Sequence, residues 1–158
     1  MKFIADSMLG RLARWLRLLG YDTAYYSHIE KSLLLRISRE EERILLTRDT
    51  RLVRVRGLTQ HLLLTDNDPL EQLKKVITTF ALFPPGKSPE SFMSPVIGRC
   101  TLCNSILENV SKEQAKGRVP EYVLLTTETI KKCPGCEKYY WKGTHQERFR
   151  RILIDILS

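Results

Sequence analysis

The sequence has no apolar run near the roughly 18 residues that a membrane-crossing helix requires, so no membrane association is expected. Its start, Met1-Lys2-Phe3-Ile4-Ala5-Asp6, meets an acid after three apolar residues, which is not the pattern of a secretory signal. There is no Walker loop, no G-x-S-x-G elbow and no H-E-x-x-H pair, which removes three common phosphate, acyl and peptide chemistries. The three histidines, His28, His61 and His145, are scattered. No internal repeat or low-complexity segment is present. Cysteine is confined to four positions, so none is left over for a disulfide network or a free reactive thiol.

Those four cysteines form two matched pairs, Cys100-Thr-Leu-Cys103 and Cys133-Pro-Gly-Cys136. A C-x-x-C pair sets two thiolates on one tight turn, and two such turns supply the four soft ligands of a closed tetrahedral zinc site. A thioredoxin-type redox centre needs one pair in a βαβ context, and disulfides call for a secreted chain. The 29 residues between the pairs exceed the usual spacer of about 15–20, so an additional loop or hairpin is expected inside the ribbon. Four thiolates fill the coordination sphere, so this Zn²⁺ is expected to be structural and any catalysis to lie elsewhere. Thiolates held by metal fit a reducing, cytoplasmic compartment.

The formal net charge is +8, spread evenly: 15 basic against 11 acidic residues before residue 99, and 11 against 7 after it. Four zinc-bound thiolates would lower the total to about +6. A basic surplus of this size favours a polyanionic partner, nucleic acid first, beside the plain alternative of solubility.

Phe83–Pro95 carries four prolines, one glycine and three serines in 13 residues, a composition that supports neither helix nor interior strand. The sequence is accordingly divided into an α/β domain over 1–85, a linker over 86–98, and a zinc ribbon with a C-terminal helix over 99–158. Within the first part, strands are expected at 2–5, 23–26, 43–47 and 61–64. Helices are expected over 7–19, 29–42 and 69–81, the first placing Met8, Leu9, Leu12, Trp15, Leu16 and Leu19 inward. Short strands and helices in alternation imply a parallel sheet flanked by helices, and continuously apolar strands fit a sheet buried on both faces. In the second part, 121–127 and 138–141 read as ribbon strands and 146–157 as an amphipathic helix.

Ligands of a parallel α/β sheet bind at the carboxyl ends of its strands. Asp6 follows the first strand directly, and Asp49 lies two residues past Thr47 in Thr47-Arg48-Asp49. Carboxylates converging there form a hard oxygen site for Mg²⁺ or Mn²⁺, able to activate water and to neutralise charge on a phosphate. Helix or turn capping is the alternative for each acid. Glu30 opens the second helix and Asp68 follows the fourth strand, so both are further candidates, with capping an equal alternative for Asp68. Arg11, Arg14 and Arg17 are expected opposite the leucine stripe, Arg11 about 8 Å along the axis from Asp6. With Arg48 they could grip a phosphate backbone, beside the alternative of an ordinary solvated face.

The stretch Phe3–Thr23, FIADSMLGRLARWLRLLGYDT, resembles the opening signature of the Mut-seven C-terminal RNase domain family. Arg43–Asp49, RILLTRD, is similar to its second signature and Glu71-Gln72-Leu73 to a weaker third. The two cysteine pairs followed by Trp141-Lys142-Gly143-Thr144-His145 are similar to its zinc ribbon. The resemblance implies a PIN-like parallel α/β sheet with clustered acids, a metal-dependent ribonuclease activity on RNA, and Asp6 and Asp49 as metal-binding acids. Family members usually carry an acidic pair at the start of the second helix. Here Ile29-Glu30-Lys31 leaves Glu30 beside a lysine, which keeps open a catalytically degenerate RNA-binding module, and also a protein-binding scaffold, as alternatives.

Overall fold

The computed structural model describes residues 1–58, 60–83, 85, 86, 88 and 98–158, the side chain of Thr144 aside. They fall into two compact units, Met1–Leu82 and Phe83–Ser158. Most of the expected linker, residues 87 and 89–97 of 86–98, lies outside the described residues.

The first unit runs β1 (Lys2–Ala5), a 3₁₀ turn (Ser7–Leu9), α1 (Gly10–Leu18), β2 (Asp22–Tyr25), α2 (Lys31–Glu40) and β3 (Ile44–Thr47). A second 3₁₀ turn (Leu52–Arg54), β4 (His61–Leu63) and α3 (Pro69–Thr79) complete it. The strands form one parallel sheet in the order β2-β1-β3-β4. Apolar side chains on both faces explain why it is covered on both sides. Ile4, Ala24 and Leu45 pack with Leu34 of α2 on one face. On the other, Phe3 meets Tyr21 and Phe80 edge to face, at 5.9 and 5.6 Å between ring centroids. All four residues of β3 are buried, as its unbroken apolar run requires.

Two details of α1 depart from the periodicity. The helix begins one tight turn late, because the Asp6 side chain caps Ser7 and holds Ser7–Leu9 as 3₁₀. Tighter winding there turns Met8, expected inward, out to solvent at 69% exposure. Arg17 departs the other way. Rather than joining Arg11 and Arg14 on the exposed face, it is buried beside Ala13 and Leu16, and its Nε donates to the Thr23 carbonyl at 2.8 Å. Its guanidinium closes the β2 end of the helix, so the expected third arginine of the outer face is corrected to a structural residue.

The second unit holds β5 (Glu108–Val110), α4 (Lys112–Ala115), α5 (Glu121–Thr126), β6 (Ile130–Lys132), β7 (Tyr139–Trp141) and α6 (Thr144–Leu157). β5-β6-β7 is an antiparallel meander. The strand expected at 121–127 is instead α5. Pro120 supplies a fixed φ of −57° at its start, and the buried Val123 anchors it among Ala115, Val119 and Ile130. The segment 104–132 between the cysteine pairs thus contains two short helices and two strands.

Candidate functional site

The parallel register sets the carboxyl edge of the sheet. Ala5 pairs with Tyr25 and Leu46, and Thr47 pairs with Leu63, so the next residue of β1, Asp6, lies level with the end of β3. The Asp6 amide donates to the Leu46 carbonyl at 2.9 Å, extending the β1–β3 ladder by one bond. The Asp6 side chain is almost fully buried. Its Oδ1 accepts from the Ser7 amide at 2.8 Å, and its Oδ2 accepts from the Thr47 hydroxyl at 2.8 Å.

Thr47 is a hub that sequence reasoning treated only as a strand end. The same hydroxyl that donates to Asp6 accepts from the Asp49 amide at 3.0 Å, so one fully buried oxygen ties both acids together. Asp49 Oδ1 accepts from the Arg51 amide at 2.9 Å, with Arg51 Nε at 3.4 Å. These contacts fix the direction of the Asp49 Oδ2 lone pairs. The backbone bond from Arg51 is the largest cause of an Asp49 pKa below the usual carboxylate value, followed, among the groups that lower it, by Lys31 and the Arg51 side chain.

The second group missed from sequence is Lys31, the first residue of α2. Its Nζ stands 3.2 Å from Asp6 Oδ2 and 3.3 Å from Asp49 Oδ2. Desolvation opposes its charge, but hydrogen bonds and attraction from Asp6 and Asp49 outweigh it and raise its pKa. α2 has no acid in its first turn and no side-chain cap, so the helix dipole also disfavours an ammonium at this end. Among the described residues, the two carboxylates account for its position. The available signal was Glu30-Lys31 at a helix start where the resemblance implies an acidic pair.

The remaining expected residues are dispersed. Glu30 is exposed at the N-cap of α2. Asp68 caps α3, its Oδ1 accepting from the Leu70 amide at 2.9 Å while its own amide donates to Asp66. Among the described residues, the hydrogen bonds linking Asp6 to Asp49 do not extend to either. Arg11 and Arg14 are exposed on α1. Arg48 is held by Asn67 Oδ1, and its buried Nε has no hydrogen-bond partner among the described residues. Beside the site, the Tyr25 hydroxyl donates to the Ser7 carbonyl at 2.9 Å and pins the 3₁₀ turn. A Cβ at Gly10 would come within 2.8 Å of that hydroxyl oxygen.

Two carboxylate oxygens within 3.3 Å of one point are donors of the kind a hard divalent cation takes, and equally a seat for a cationic side chain. The point itself is held by the lysine ammonium.

In the second unit the four cysteine sulfurs lie within 4.8 Å of one another. The two turns repeat one geometry. Cys100 N–H donates to the Ser105 carbonyl and Asn104 N–H to the Cys100 carbonyl; Cys133 and Glu137 make the equivalent bonds to Lys138 and Cys133, all at 2.9 Å. Asn104 (φ 72°) and Glu137 (φ 59°) both close their turns in the left-handed region. The sulfurs resist sharing charge: Cys103 is drawn down to about 6, first by the Ser105 hydroxyl, whereas Cys136 is pushed up to about 12, first by Cys103. Full ionisation of the set needs a cation among them, and a soft tetrahedral ion such as zinc fits these donors. The Tyr140 hydroxyl, 3.1 Å from Cys100 Sγ and 3.2 Å from the Thr101 amide, braces the first turn.

Among the described residues no helix is long and apolar enough to cross a membrane. No curated protein and no solved structure matches the chain. The family model described as the Mut7-C RNAse domain matches residues 1–153, spanning both the acid edge and the cysteine cluster. That match points to a nuclease-like role with RNA as the partner. With its parallel sheet, its strand-end acids and its four-cysteine module covered by one family model, the chain belongs to the Mut7-C RNAse domain family.

Proposed function

We propose that the chain is a divalent-metal-dependent ribonuclease that hydrolyses RNA phosphodiester bonds at the Asp6–Asp49 edge, with a zinc-stabilised ribbon that helps to grip RNA. The carrying observation is the convergence of Asp6 Oδ2 and Asp49 Oδ2, from the ends of adjacent parallel strands, on one point. A Mg²⁺ or Mn²⁺ ion bound there supplies a water of lowered pKa and a counter-charge for the phosphate. The chain's own groups do the positioning. Thr47 aims Asp6 and holds the Asp49 backbone, and Arg51 fixes the Asp49 carboxylate. Arg11, Arg14 and Arg48 contact the RNA backbone, whereas Arg17 serves the fold. Glu30, at the N-cap of α2 beside Lys31, is the further acid that would complete the shell; Asp68 serves the cap of α3. In the second unit, Cys100, Cys103, Cys133 and Cys136 hold Zn²⁺.

The test is cleavage of a mixed-structure RNA with Mg²⁺ or Mn²⁺, beside Asp6→Asn/Asp49→Asn. Cleavage that disappears in the variant, while RNA binding persists, supports the reading. Equal cleavage by both proteins refutes it.

One observation favours a second reading. Lys31 already neutralises the acid pair, as it would in a catalytically degenerate RNA-binding module. RNA affinity that falls steeply with salt, without turnover in any divalent ion, would select this alternative.

A further inference from the structure

Resting on the metal-dependent reading, we propose that Lys31 is a tethered competitor of the divalent cation: its ammonium holds the coordination point between Asp6 and Asp49 and must be displaced before an ion can bind. The distances make the two mutually exclusive. Nζ is 3.2 and 3.3 Å from the two Oδ2 atoms. An ion bridging the same oxygens sits about 2.1 Å from each, so ion and ammonium would overlap in space and repel as like charges.

Three features equip Lys31 to leave. Its side chain is half exposed, so rotation into water needs no rearrangement of the core. It lies in the first turn of α2, where the helix dipole repels it, so part of its attraction to the carboxylates is already offset. The carboxylates do not depend on it for their placement, because Thr47, Ser7 and Arg51 hold both acids by hydrogen bonds of 2.8 to 3.0 Å. Removing the ammonium therefore leaves a preformed pair of oxygens and not a collapsed one. Arg51 Nε contacts the other oxygen of Asp49, so it neutralises charge without occupying the shared point.

The experiment is Mn²⁺ binding to the zinc-loaded full chain, followed by the electron paramagnetic resonance signal of free Mn²⁺. Wild type is compared with Lys31→Met, Lys31→Gln and Lys31→Met/Asp6→Asn/Asp49→Asn, with far-ultraviolet circular dichroism to confirm that each is folded. The expected result is a dissociation constant at least tenfold lower in both single variants, about 1.4 kcal/mol, and loss of the gain in the triple variant. Equal Mn²⁺ affinity in wild type and both single variants overturns the competitor role while leaving the metal-dependent reading intact. No Mn²⁺ binding in any of them overturns both. Tightened binding without RNA cleavage upholds the competitor and refutes only the nuclease.

Discussion

Replacing Thr47 by valine removes one oxygen atom and keeps the side chain's shape, which isolates the contribution of that oxygen to the acid edge. In the folded protein it makes a charge-assisted bond to Asp6 Oδ2 at 2.8 Å and accepts the Asp49 amide at 3.0 Å. A hydrogen bond to a charged group contributes about 1.5–3 kcal/mol and a neutral one about 0.5–1.5 kcal/mol, so Thr47→Val should destabilise the first unit by roughly 2–4 kcal/mol. Thr47→Ser is the counterpart: it keeps both bonds and deletes a buried methyl group, costing about 1 kcal/mol. The assay is urea unfolding followed by Trp15 emission in a Trp141→Phe background, so that only the first unit reports. At a slope of about 1–3 kcal/mol per molar urea, the valine midpoint should fall by about 0.7–4 M and the serine midpoint by about 0.3–1 M, the valine shift about two- to fourfold the larger. Thr47 is fully buried, so a purely hydrophobic role predicts the opposite order. A serine variant as unstable as the valine variant, or more so, would refute the reasoning.

Three further outcomes follow from the same geometry. Arg17→Ala should destabilise the first unit by about 2–4 kcal/mol, through a cavity and the loss of the buried Arg17–Thr23 hydrogen bond; the exposed Arg14→Ala should change stability by less than about 0.5 kcal/mol while weakening RNA binding in a filter assay, and the reverse pattern would overturn both assignments. Glu137→Gly should raise the unfolding temperature of the zinc-loaded Phe83–Ser158 unit by a few degrees, because Glu137 sits at φ 59° at a strain of about 1 kcal/mol; a lower melting temperature would count against it. Asp49 has a folded pKa below its unfolded value, so its stabilisation is present above the ordinary carboxylate pKa and lost as pH falls through the folded one; the stability gap between wild type and Asp49→Asn should therefore narrow on acidification below about pH 4, and a gap that stays constant or widens would contradict the cause assigned.

The sheet and its acids were legible because their signals are local. Unbroken apolar runs ending in Asp6 and near Asp49 mark buried parallel strands and the edge where ligands bind. The cysteine pairs announce their own chemistry. What escaped was set by tertiary context. Arg17 lies only at the margin of the apolar stripe, and its burial is decided by the Thr23 carbonyl across the helix–strand contact. The strand-like Glu121–Thr126 becomes helical because Pro120 starts it and Val123 has a core to enter. β5 and β6 are three residues each, too short for alternation to register. The role of Lys31 depends on two carboxylates 25 and 18 positions away, a relation no spacing rule contains.

Gly10 carries a lesson for anyone scanning this chain by mutation. Its backbone is ordinary right-handed helix, so no dihedral argument protects it. Yet a Cβ there meets the Tyr25 hydroxyl, so a larger residue displaces the end of that side chain and strains its bond to the Ser7 carbonyl, on the turn where Asp6 is mounted. In a deep mutational screen read by cleavage, position 10 should tolerate substitution less well than the exposed positions of α1. A map of functional residues drawn from such a screen would then include a residue with no side chain to contribute, whose importance is the emptiness it preserves.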